Sequence, residues 1–356
     1  MPANMELQGQ SLLAPLTTLG LGGRAEFFVD IRSVSELAEL RSHALKLGLP
    51  LTVLGGGSNA LIPDHTIAGV VFRYLASGIS VLHDTGESVL IDAKAGLAWD
   101  GLVEWSVKQG LWGLECLSGI PGWVGAAPIQ NIGAYGAELA DVLVSIDVFD
   151  TKDAEVIRLP ATELGLGYRE SHLKRAWRGR YVVLAIQLQL SRQACPNLSY
   201  RDLRSLAESE REPTLSEIRA RVLEIRTHKS MVADPNDPNA QSLGSFFVNP
   251  VIDAAALAHI EKVAAERASG EVPRHQVERG WKVPAGWLIE QSGFKRGSQF
   301  GAVGISEKHA LALVHHGGGT TAELLDLATR IQEQCLQVYG VQLEREPQPL
   351  APLQLE

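Results

Sequence analysis

Cysteine, methionine and aromatic residues are scarce in this chain of 356 residues, which has three Cys, three Met and 6% Phe, Trp and Tyr. Cys116, Cys195 and Cys335 stand far apart and form no CxxC pair. That argues against a disulfide framework or a zinc site, and for a reducing compartment. Cys116 and Cys335 are expected to pack as small hydrophobes, and no metal site is expected. A long basic run is also lacking. With 41 acidic against 32 basic side chains the formal net charge is −9, so nucleic acid is not expected as a partner. Local basic residues remain free to hold an anionic small molecule in a cleft. Nor is there a long unbroken apolar run. The most apolar stretch, Leu111 to Ile129, is interrupted by Glu115, Pro121 and several glycines, so it is not a membrane-spanning helix. The opening MPANMELQGQ lacks the charged-then-apolar layout of a secretory signal. A cytoplasmic globular enzyme without membrane insertion is the expectation, with two or three domains at this length.

Glycine, by contrast, is plentiful, with 35 residues. The motif GGGSN, Gly55 to Asn59, follows a β–α–β pattern. Ala25 to Ile31 reads as a strand. Ser33 and Glu36 have capping-box spacing before a helix with Leu37, Leu40, Ala44 and Leu47 inward and Gly48 as its stop. Leu51 to Leu54 and Val70 to Tyr74 read as further strands. A second segment opens near Glu87 with the strand SVLIDAKAG and an amphipathic helix over Trp99 to Gln109. A long loop, LSGIPGWVGAAPIQNIGAYG, then runs from Leu117 to Gly136, before strands at Val142–Phe149 and Tyr181–Leu190. Thr214 and Glu217 cap a helix running to about Lys229. GSFFVNPVI begins a third segment, and Thr321 to Tyr339 has the helical period, ended by Gly340. Strands and helices mix without strict alternation, which predicts an α+β fold rather than one doubly wound sheet.

Gly55, Gly57 and Ala60 formally fit the GxGxxG/A dinucleotide pattern. That pattern requires the loop to open a helix, whereas Pro63 follows within a turn and LIPDHTIAG has no helical stripe. Either the loop is a glycine turn without function, or its amides form an anion nest to which Ser58 and Asn59 add donors. The second loop, with Gly119, Gly122, Gly125, Gly133 and Gly136, is longer than a simple connection needs. Two such loops fit one extended phosphate-bearing cofactor held between subdomains. A buried irregular crossover is the competing reading.

IPGWVGAAPIQNIGAYGAEL, YRESHLK, GSFFVNP, AGWLIEQSGFKRG and LEREP occur in that order along almost the whole chain. Together they resemble the UDP-N-acetylenolpyruvoylglucosamine reductases of peptidoglycan synthesis. The resemblance implies the vanillyl-alcohol-oxidase type of FAD-binding fold, two α+β subdomains around a flavin, followed by a C-terminal α+β substrate domain. The corresponding boundaries are 1–77 and 78–228 for the FAD-binding subdomains and 229–340 for the substrate domain, with 341–356 returning to the first. The implied reaction has two halves: NADPH reduces FAD, and reduced flavin passes hydride to the enolpyruvyl ether of UDP-N-acetylglucosamine, giving UDP-N-acetylmuramate.

By the same resemblance Ser245 is the proton donor to the enolate carbon, Arg169 holds the developing carboxylate charge, and Glu346 is the catalytic glutamate, useful beside an anion only if it shares a proton. Taken singly, these residues read as a turn cap, a surface ion pair and a solvated tail carboxylate. Gly55, Gly56, Gly57, Ser58 and Asn59 are assigned to FAD, as are Ile120, Pro121, Gly122, Gly125 and Ala126, and Asn131, Gly133, Ala134, Tyr135 and Gly136. Tyr168, Tyr200, Lys229, Asn249, Lys282, Gln291, Lys295 and His309 are assigned to the sugar nucleotide, Tyr200 marking the subtype with a tyrosine loop. His309 reads equally well as a satisfied histidine at a helix end.

Three positions depart from the pattern. Val248 stands where a lysine is usual and Leu173 where an aromatic is usual. Thr17-Thr18-Leu19 replaces Asn-Thr-Phe, so no FAD contact is assigned there. Neither glycine loop carries a histidine and Cys116 fits no attachment motif, so the FAD is expected to be noncovalent, and the protein a monomer. An FAD-dependent oxidase and a non-enzymatic regulator that binds a sugar nucleotide or flavin are the competing readings. Neither of these requires Ser245, Arg169 and Glu346 together.

Overall fold

The computed structural model describes residues 7–198, 200–208, 211–234 and 236–356. The leader reading of the first residues therefore falls largely outside the described residues. The N-terminal sheet has four strands in the order Gln8–Leu12, Arg24–Ile31, Ile67–Tyr74, Leu51–Val53. The first pair is antiparallel and the other two pairs are parallel. Helix Val34–Leu47 makes the crossover. Its capping box is formed, with Ser33 accepting from Glu36 N–H, and Gly48 closes it at φ 65°. Such a cap contributes about 1 kcal/mol. Leu37, Leu40 and Ala44 are buried, but Leu47 is 62% exposed. The left-handed turn at Gly48 redirects the chain, and Leu49 packs against the core in its place.

The second sheet is antiparallel, ordered Glu155–Pro160, Leu143–Asp150, Tyr181–Ser191, Ser88–Lys94, Ile79–Asp84. Helices Trp99–Lys108 and Leu215–His228 share its core through Trp99, Leu102, Val222 and Ile225. Cys116 is buried there. The two sheets meet where Phe149, Val182 and Leu184 enter the core of the first.

A third core gathers helices Ala254–Glu266, Ala285–Gln291 and Thr321–Tyr339 with two small three-stranded sheets. Leu324, Ala328, Ile331 and Cys335 are buried in it, and Leu325 and Val338 pack at its margin. Leu19, Leu21 and Leu61 from the N-terminal part join the same core. The two parts are also fastened by polar bonds. Asp64 accepts from Thr321 N–H (2.8 Å) and Ala322 N–H (2.9 Å), filling the amide end of helix Thr321–Tyr339. Beyond that helix the chain goes back to the first lobe. Gln348–Pro349 pairs in parallel with Ala60–Leu61, and Leu353 N–H donates to Leu51 O (2.7 Å).

Candidate active site

Both glycine loops face one cavity of about 400 Å3. Gly55, Gly56, Gly57, Ser58 and Asn59 all line it, with Ile120, Pro121, Gly122, Gly125 and Ala126 also in the wall. The glycines are there because neighbouring chain comes too close for a side chain. A Cβ on Gly56 would stand 3.0 Å from Gly122 Cα, and one on Gly125 2.6 Å from Ala95 Cβ. Gly122 O accepts from Trp99 N–H (2.9 Å) and Gly125 N–H donates to Ala95 O (2.9 Å), which lays the second loop on the second sheet and its helix.

The second half of that loop behaves differently. Of its five assigned residues only Gly133 lines the cavity. Asn131 is fully buried at φ 44°, and its side chain is used up in shaping the loop. Asn131 Nδ2 donates to Glu138 Oε2 (2.8 Å) and Gly167 O (3.0 Å), and Asn131 Oδ1 accepts from Ala140 N–H (2.9 Å). Ala134 lies in the short ladder Gly133–Ala134 with Ala137–Glu138, and Gly136 O accepts from Asn197 (2.8 Å). Tyr135 points elsewhere, its ring edge-on to Tyr200 at 5.3 Å. Burial pushes its hydroxyl up to about 12.

Ser245, Arg169 and Glu346, far apart in sequence, all reach the cavity wall. Two backbone bonds place Ser245 beside Glu346: Glu346 N–H donates to Phe246 O (2.9 Å) and Val248 N–H to Glu344 O (2.9 Å). The buried rings of Phe246 and Phe247 anchor this pairing in the third core. Arg169 sits in a tight turn closed by reciprocal bonds between Gly167 and Glu170, at the left-handed φ of 57°. A non-glycine residue in that region is strained, and such strain collects at functional sites. Lys174 Nζ holds its carbonyl (2.8 Å), and Arg169 donates to Gly133 O (2.7 Å). Arg169 Nε lies 3.1 Å from Glu346 Oε1, yet its N–H is not aimed along a hydrogen bond. Burial raises the Glu346 carboxyl above its ordinary value, while Arg169 and Lys174 work against that rise.

The residues assigned to the sugar nucleotide form two groups and two outliers. Asn249 Nδ2 lies 3.3 Å from Tyr168 Oη, and Lys282 Nζ stands 3.8 Å above the Tyr168 ring. Burial lowers the Lys282 ammonium. Asn249 Oδ1 also accepts from Ala285 N–H (2.9 Å). The second group joins Tyr200, Tyr135 and Lys229, whose ammonium is 6.0 Å from the Tyr135 ring and donates to Asp202 (2.7 Å). His309 belongs near it. Burial, then Lys229, Arg226 and Arg296, lowers its ring to about 4. Leu311 N–H donates to His309 Nδ1 (3.1 Å), which leaves the proton on Nε2. Gln291 ends helix Ala285–Gln291 half-buried, and Lys295 is exposed on the turn after it.

Sequence reasoning missed several wall residues. Thr18, to which no contact was assigned, lines the cavity; its N–H bonds Gly57 O (3.2 Å) and its hydroxyl Ser242 O (2.8 Å). Lys174, Arg226, Gln130 and Gln348 to Ala351 line it too. The Nε atoms of Arg169 and Arg226 are buried without a hydrogen-bond partner. Two guanidinium groups on a wall of bare glycine backbone, each with its buried Nε–H unspent, fit a flavin dinucleotide and an anionic substrate. Among the described residues no group of His, Cys, Asp and Glu could hold a metal, and no helix is long and apolar enough to cross a membrane.

Comparison with known proteins agrees with this division of labour. An FAD binding domain model matches residues 25–160, and the C-terminal domain model of UDP-N-acetylenolpyruvoylglucosamine reductase matches residues 235–350. The reductase of that name from Thermobifida fusca is 41% identical over 94% of this chain and 95% of its own. That from Pseudomonas aeruginosa is 38% identical over 97% and 99%. The solved reductase from Thermus caldophilus superposes with a TM-score of 0.65 at 27% identity, covering 97% of this chain and 99% of that one. With both glycine loops in the region matched by the FAD model and GSFF and LERE in the region matched by the other, the chain belongs to the UDP-N-acetylenolpyruvoylglucosamine reductase family.

Proposed function

We propose that this protein is a flavoenzyme that uses NADPH to reduce the enolpyruvyl ether of UDP-N-acetylglucosamine to UDP-N-acetylmuramate. The observation that carries the reading is the convergence of Ser245, Arg169 and Glu346 on the wall shared by both glycine loops. Gly55 to Asn59 with Ile120, Pro121, Gly122, Gly125 and Ala126 would hold a noncovalent FAD, which when bound would supply hydride at the terminal carbon of the ether. The protein must then manage the charge that gathers on the adjoining carbon and carboxylate. Arg169, tethered through its carbonyl to Lys174, places a planar cation against that carboxylate. Ser245 gives its hydroxyl proton to the adjoining carbon. Glu346, whose carboxyl burial shifts toward the protonated form, is the group that shares a proton with the same anion.

Tyr168, Asn249 and Lys282 flank Arg169 and receive the sugar. Tyr200, Lys229 and His309 receive the diphosphate side, and Gln291 and Lys295 complete the outer wall. Residues 1–77 with 341–356, 78–228 and 229–340 serve as the three lobes; the pairing of Gln348–Pro349 with Ala60–Leu61 supports the discontinuous first lobe. The protein works as a cytoplasmic monomer of the tyrosine-loop subtype.

Anaerobic absorbance of the purified flavoprotein tests the reading. NADPH should bleach the flavin, and the enol ether should restore it stoichiometrically. Recovery only on admitting air would instead favour an oxidase, and a protein that neither holds nor takes up FAD would sink the assignment. Ser245→Ala should slow the recovery step about 10²–10⁴-fold while substrate binding survives. Recovery at the unaltered rate would remove Ser245 from the mechanism.

A further inference from the structure

One wall residue joins the cofactor loop to the acid. Gln130 lies in the helical turn Val124–Gln130 of the second glycine loop and lines the same cavity. Asn59, the last residue of GGGSN, donates from Nδ2 to Gln130 Oε1 at 2.9 Å. That bond turns the Gln130 amide so that Nε2 faces Glu346, to which it donates at Oε1 over 3.3 Å. The Arg169 guanidinium approaches the same oxygen at 3.1 Å. Gln130 is thus the hydrogen-bond donor to Oε1, with the Arg169 charge lying against the same oxygen, and a carboxylic acid whose one oxygen already accepts carries its proton on the other.

We propose that Gln130 is a positioning residue that fixes the Glu346 proton on Oε2, with Asn59 setting the direction of the Gln130 amide. The inference rests on the reading of Glu346 as the proton-sharing acid and assigns which of its oxygens serves. It also explains why an amide occupies this place. A second carboxylate would compete for the Glu346 proton, whereas an amide whose oxygen is held by Asn59 can only donate. The charged and titratable groups around Glu346 are Arg169, Lys174 and Tyr168. Lys174 is itself shared with Glu344 at 3.4 Å, which lies on the same terminal segment. None of these can replace an uncharged donor fixed to one oxygen.

A donor to Oε1 favours the ionised carboxylate, so removing it raises the pH at which Glu346 loses its proton. The experiment titrates the infrared C=O band of protonated carboxyl in the holoenzyme, with Glu346→Gln identifying the band. In Gln130→Met, which keeps the length and loses the donor, the midpoint moves up by about one pH unit. Single-turnover reduction of the enol ether falls about tenfold as Oε2 loses its fixed aim. Asn59→Ala shifts the midpoint in the same direction by less. The two changes together move it no further than Gln130→Met alone, because they break one chain. A midpoint that stays, or moves down, in Gln130→Met overturns the inference. If that variant fails to retain FAD, Asn59→Ala decides the matter by the same criterion. A band that survives in Glu346→Gln overturns the parent reading of Glu346 instead.

Discussion

GGGSN and NIGAYG look alike on paper, short glycine-bearing loops after apolar stretches, and the molecule uses them differently. All five residues of the first line the cavity. In the second only Gly133 does so among the assigned five, because Asn131 spends its amide on Glu138, Gly167 and Ala140, and Tyr135 turns toward Tyr200 and Lys229. Glycine admits both uses. It clears room for a ligand, and it lets a chain bend sharply around its own polar side chains. The neighbouring side chain tells them apart: a small donor such as Ser58 leaves the backbone open, while a buried asparagine at positive φ consumes it.

Substitutions can set the two loops against each other. The largest effect is expected from Gly57→Val, whose Cβ would fall 1.9 Å from Leu16 O at φ 67°. Roughly 3 kcal/mol or more of strain should abolish FAD retention, read from the absorbance of the purified protein. Asn131→Ala should do the reverse, keeping the bound flavin while lowering stability by about 1–3 kcal/mol as Ala140 N–H loses its partner and Gly167 O keeps only Glu170 N–H. Urea unfolding of the holoprotein measures it, and a colourless but stable Asn131→Ala would erase the distinction. Tyr135→Phe should leave flavin spectra untouched and raise KM for the UDP substrate about threefold to tenfold, placing that residue on the substrate side.

The mildest test is acid. His309 titrates at about 4 when folded against an ordinary value near 6.5. The unfolded chain thus binds the extra proton first, so stability falls as pH drops below about 6.5 and stops falling below about 4. His309→Gln should flatten that part of a pH series of unfolding midpoints. An unchanged slope would detach His309 from the Lys229 and Arg226 group.

Elements with strong local signals were legible. The Ser33–Glu36 and Thr214–Glu217 capping boxes both form, and Gly48 and Gly340 both end their helices in left-handed conformations. Strand Ile79–Asp84 gave no signal because nearly all of it is exposed at a sheet edge, leaving no alternation to read. Helix Ala254–Glu266 was hidden by its small residues, with only Leu257, Ile260 and Ala264 buried. In the site, the residues on recognisable motifs, Ser245, Arg169 and Glu346, were legible. Arg226 was not, since an arginine in the last turn of a helix reads as complementing its dipole. Thr18 carries no family signal because its neighbours differ from the pattern, yet the contacts that place it run through backbone and hydroxyl, which survive those differences.

The returning terminal segment sets a timetable for synthesis. Gly55 to Asn59 leave the ribosome early, but Gln348, Pro349, Leu350 and Ala351, which complete the same cavity, are translated only after the whole third lobe. The hydrogen bond from Leu353 to Leu51 and the parallel pairing with Ala60–Leu61 close one of the longest loops the chain can make. A nascent chain therefore has an unfinished cradle for most of its elongation. The same geometry makes a stop codon a few residues before Gln348 as damaging to the cofactor as a lesion in the glycine loop itself.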